Sequence, residues 1–85
     1  MKTTEEVYKS ALTIINKVVT LKMNVANGCK ADSAELAATE QRIPAIKAWA
    51  EANDKIADIR YYLQGGKFNT SSIHFYAQQV AEMFN

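Results

Sequence analysis

A chain of 85 residues with ten Lys and Arg against nine Asp and Glu, a formal charge of +1, has no global field to draw it to nucleic acid or to an anionic membrane. Apolar residues make up 48%, too many for a disordered segment, yet Lys17 and Lys22 interrupt the longest apolar stretch well short of the ~18–20 residues of a membrane span. A single cysteine, Cys29, excludes an internal disulfide, and one domain is expected over residues 1–85, with a lone core supplying roughly 3–5 kcal/mol of net stability.

The first helix is expected at about Thr4 to Asn27, roughly 36 Å long at 1.5 Å per residue. Val7, Ala11, Ile14, Val18, Leu21 and Val25 alternate at spacings of four and three, and Tyr8, Leu12, Ile15, Val19 and Ala26 form a second stripe beside them. Together they make a face too broad for one partner helix to cover. Thr3 and Glu6 have the spacing of a capping box, Glu5 and Glu6 suit the positive end of the helix dipole, and Asn27-Gly28 supplies the left-handed stop.

Asp32 or Ser33 can cap a second helix, antiparallel to the first because the connection is short. Pro44 clashes with the carbonyl of Glu40 if that helix runs straight through, so a kink or a restart is expected there. Beyond it Ala45, Trp49, Ala52, Ile56, Ile59 and Leu63 repeat the four-three spacing, and Lys47, Glu51 and Lys55 form a charged ladder on the other side. Gly65-Gly66 ends the segment. Asn69 then caps a third helix that buries Ile73, Tyr76 or Ala77, Val80 and Phe84, with Phe68 and Ile73 spaced for a hydrophobic staple. The expected fold is therefore all-α: a small antiparallel bundle of three main helices, the second kinked or split at Pro44.

No constellation announces a reaction. Cys29 lies in the first turn and the only histidine, His74, in the last helix, with nothing to make them a nucleophile and base pair. Asp54 and Asp58 share one helical face with Lys55 interleaved, which reads as a solvated charged surface rather than acid–base machinery. Zinc would need three or four ligands that the chain does not supply, so neither metal nor cofactor is expected. Met-Lys-Thr-Thr-Glu-Glu at the start lacks the apolar run of a signal peptide, and a cytoplasmic location follows as an expectation.

Six of eight aromatic residues lie after Arg60. Tyr61 and Phe75 fall off the apolar stripes, so some of this aromatic surface should be exposed. Arg60, Tyr61, Tyr62, Lys67, Phe68, His74 and Phe75 are the candidate partner-binding residues, because aromatic rings and Arg anchor protein interfaces. Arg60, Lys67, Thr70 and Ser71 are candidates for phosphate or RNA contact, since a glycine turn feeding a helix start presents free amides to an anion. The GxxxxGK[ST] spacing of a nucleotide-binding loop is absent. Closure of the core between the second and third helices accounts for the same aromatics without any ligand.

The segment Arg60-Tyr61-Tyr62-Leu63-Gln64-Gly65-Gly66-Lys67-Phe68-Asn69 and its flanking helices resemble small accessory proteins of T-even-like tailed phages in length, helix content and Asn/Thr/Lys/Glu usage. That resemblance implies a stoichiometric inhibitor or regulator of a host or phage protein, such as an antagonist of a defence toxin or a regulator of lysis, and transfers no functional residue. The expectation is a non-enzymatic protein that binds a protein partner. RNA binding, a homodimer formed through the broad face of the first helix and a self-associating structural oligomer are the alternatives.

Overall fold

A computed structural model describes residues 2–85, and of Ser71 the backbone alone. Five α-helices follow one another: α1 (Thr4–Ala26), α2 (Ser33–Glu40), α3 (Ile43–Ala52), α4 (Ile56–Gln64) and α5 (Ser71–Glu82), with 3-10 turns at Lys30–Asp32 and Gly66–Phe68. Among the described residues there is no strand. The radius of gyration, 12.7 Å, is close to the ~12 Å of a packed chain of this size.

The first helix starts where its capping residues place it. The Thr3 hydroxyl oxygen accepts from the Glu6 amide at 3.1 Å and donates to the Glu6 carboxylate at 3.3 Å, so Glu6 closes the cap through the Thr3 side chain rather than its backbone. The helix ends in a Schellman motif: Gly28 has φ +100, and the amides of Cys29 and Gly28 donate to Asn24 O at 2.9 Å and Val25 O at 3.0 Å.

The middle of the chain is interrupted twice. Helix α2 closes at Gln41 and Arg42, whose amides reach Ala37 O and Thr39 O, and Pro44 is the second residue of α3. Its missing amide hydrogen falls among donors that have no partner within the helix. A second break follows at Asn53-Asp54-Lys55. Asp54 takes φ +58 and the Lys55 amide donates to Ala50 O at 2.8 Å, which repeats the longer-spanning of the two bonds closing α1, with aspartate where the first has glycine. Among the described residues five α-helices thus stand where three main helices, the second kinked or split at Pro44, are expected. The break also ends the continuous stripe: Ala45 and Ala52 are exposed, and α3 buries Ile43, Ile46 and Ala50 instead.

Helix α1 packs against α2 and α5, and α5 packs against α4. The core joins Ile15, Val18 and Val19 of α1 to Ile46, Ile59, Leu63, Phe68, Val80 and Phe84, among others. Polar ties fix α2 and its leading turn to the second half of α1, through Lys17 with Glu35, Lys22 with Glu40 at 3.2 Å, and the Asn24 amide donating to Asp32 at 3.1 Å. Helix α5 begins one residue later than anticipated, with Thr70 at its N-cap and Asn69 closing the 3-10 turn.

The left-handed Asp54 yields a direct test, because a side-chain carbon clashes there and a β-branched one clashes most. In urea denaturation Asp54→Val should lose about 1–2 kcal/mol, whereas Asp54→Gly should lose nothing or gain a few tenths. Equal midpoints for Asp54→Val and wild type would contradict the helix break.

Candidate functional site

Helix α4 and the turn that follows it project the aromatic residues. Ile59 and Leu63 of α4 face the core and are fully buried, which leaves Arg60 and Tyr61 on the outer side. Tyr61 is 80% exposed and Phe75, on α5, 60% exposed, as their positions off the apolar stripes lead one to expect. The Phe75 ring meets Tyr76 edge-on at 5.2 Å between centroids.

Phe68 was expected at the partner surface and is not available to it. It is fully buried, because the 3-10 turn after Gly66, at φ +58, turns its ring inward under the edge of Tyr62 at 5.3 Å and 78°. His74 is half-buried, with Nδ1 3.2 Å from the Phe68 carbonyl; carrying its proton on Nδ1, it holds this turn against α5. Phe68 thus braces Tyr62 from the core, and His74 fixes the turn.

Beside this turn lies a cleft of about 400 Å³, lined by Tyr8, Asp58, Tyr61, Tyr62, Lys67 and the Gly65-Gly66 backbone. The structure therefore brings Tyr61, Tyr62 and Lys67 together, while Arg60 and Phe75 are outside the lining. Lys67 Nζ is 5.8 Å from the ring centroids of both Tyr62 and Phe68, within cation–π range. Across the cleft Lys55 Nζ sits 5.5 Å over the Tyr8 ring and 3.6 Å from the Asp58 carboxylate. This replaces the ladder expected for Lys47, Glu51 and Lys55, because the break at Asp54 carries Lys55 off α3.

Tyr8, Asp58 and the two glycines were not among the residues singled out as partner-binding from sequence. Tyr8 was assigned to an apolar stripe, and its phenol at the edge of that stripe is the one local signal of a second role. Of the phosphate candidates, Thr70 is exposed and makes no side-chain capping bond, and the side chain of Ser71 lies outside the described residues. A second groove, about 460 Å³, runs between α1 and α3 past Val7, Ile14, Arg42, Ala45, Ile46 and Trp49.

Cys29 is exposed after α1, and among the described residues no group of three His, Cys, Asp or Glu could hold a metal ion. No described helix is long and apolar enough to cross a membrane. No family model, curated protein or solved structure matches the chain.

The Tyr8 hydroxyl is held above its usual pKa of 10.0, first by burial, then by the Asp58 carboxylate and by Tyr62. Folding thus favours the neutral phenol, and the stability this confers is complete below pH 10.0 and is lost as pH rises through the elevated folded-state value. Tyr8→Phe should therefore lose less stability than wild type between about pH 9 and 11 when urea midpoints are compared; parallel losses would refute the shift.

Proposed function

We propose that the chain is a non-enzymatic binding protein that inhibits or regulates a protein partner in the cytoplasm, using the surface formed by Arg60, Tyr61, Tyr62, Lys67 and Phe75. The observation that carries this reading is Tyr61, a large ring 80% exposed at the lip of a cleft that contains two more tyrosines. Large exposed rings favour association over hydration, and Tyr with Arg is the usual composition of interface anchors. The resemblance to small phage accessory proteins points the same way, towards an antagonist of a host protein or a regulator of lysis.

RNA is the second reading, favoured by the nearness of Lys67 to the Tyr62 ring at 5.8 Å, since bases stack on aromatic side chains while cations hold phosphate. Self-association through the broad face of the first helix is disfavoured, because Ile15, Val18 and Val19 of that face are buried within the chain, and sedimentation at several concentrations checks it. Salt separates the first two, because phosphate contacts make affinity fall steeply with ionic strength and an aromatic interface responds much less.

Affinity capture from the native cell, with bound protein and RNA both identified, tests the assignment. The double variant Tyr61→Ala, Phe75→Ala should retain wild-type helicity by circular dichroism and reduce recovery of the partner by about tenfold or more, the scale of losing two aromatic anchors. Undiminished recovery would count against this surface.

A further inference from the structure

The charges around the tyrosine cleft are not balanced. Asp58 is matched by Lys55 at 3.6 Å, and Lys55 also covers the face of Tyr8. Lys67 is exposed, its ammonium lies near ring faces alone, and among the described residues it has no carboxylate within 4.0 Å. At the cleft's open side Gly66 has no atom within 4 Å of the place its side chain would begin, so an entering group meets backbone without obstruction. The volume, about 400 Å³, falls in the range of small-ligand pockets rather than of grooves that seat a whole helix.

Resting on the reading that this surface binds a protein, we propose that the cleft receives an aromatic side chain from an acidic segment of the partner. The ring packs among Tyr8, Tyr61 and Tyr62, and a carboxylate beside it pairs with the Lys67 ammonium. Apolar contact supplies attraction, and the single unmatched cation supplies orientation and selects against basic segments. Asp58 argues against nucleic acid as the occupant. Its side chain is 55% exposed and lines the same cleft as Lys67, and a strand with a charge at every nucleotide would bring phosphate towards it.

Titration followed by amide and aromatic NMR tests the proposal with three compounds: N-acetyltryptophan, its neutral amide and an oligouridylate. N-acetyltryptophan should shift the Gly65, Gly66 and Lys67 amides and the ring signals of Tyr8, Tyr61 and Tyr62. It should bind about threefold tighter than the amide, the scale of an exposed ion pair. Lys67→Gln should abolish that preference while leaving affinity for the amide unchanged, and Tyr61→Ala should weaken both compounds. Equal binding of acid and amide to wild type, shifts elsewhere or no binding would overturn the proposal. So would tighter, salt-sensitive binding of the oligouridylate at this cleft. If Lys67→Gln has no effect while the double variant Tyr61→Ala, Phe75→Ala still loses its captured partner, the acidic-segment assignment fails and the binding role stands.

Discussion

Burial of one face of α1 is the constraint on which the molecule depends. Ile15, Val18 and Val19 have no exposed surface, and the other helices are eight to twelve residues long, at or below the ~12–15 residues at which an isolated helix is even marginal in water. Their helicity depends on packing: α2 and α5 lie directly on α1, and α4 is held through α5. The short helices supply the remaining walls in pieces, and each break lets the chain change direction and present another apolar side chain inward.

This arrangement divides the surface by length along α1. Its second half is tied to α2 and the preceding turn by Lys17, Lys22 and Asn24, an array of polar groups that meet their partners within the chain. Its first half is bordered by α3 and α4, and the gaps beside those helices are the two grooves. Tyr62 in the cleft leans edge-first on the buried Phe68, and His74 bonds the Phe68 carbonyl. A ring braced in this way loses little conformational freedom when something covers it.

The two left-handed helix stops explain how far the fold is legible in the sequence. Asn27-Gly28 announces a stop because glycine favours the left-handed region, and the end of α1 lies there. Asn53-Asp54 makes the same closure, but aspartate adopts that conformation only occasionally, and the apolar spacing through Ala52 and Ile56 masks the interruption. Alternation also identified which residues of α4 and α5 face inward, and from that the exposure of Tyr61 and Phe75. Phe68 escapes that alternation because its orientation is set by a 3-10 turn, which has no periodic pattern to extend. The cleft was only half visible for a related reason: Tyr8 is some fifty residues from Tyr61 and Tyr62 in the chain, and the break at Asp54 brings Lys55 over it.

The α1–α3 groove holds the only tryptophan of the chain, Trp49, half-buried along its edge. Indole emission shifts to shorter wavelength when water leaves the ring. Native fluorescence is therefore a label-free reporter of occupancy on that flank, and it distinguishes a ligand seated there from one seated among the tyrosines on the other.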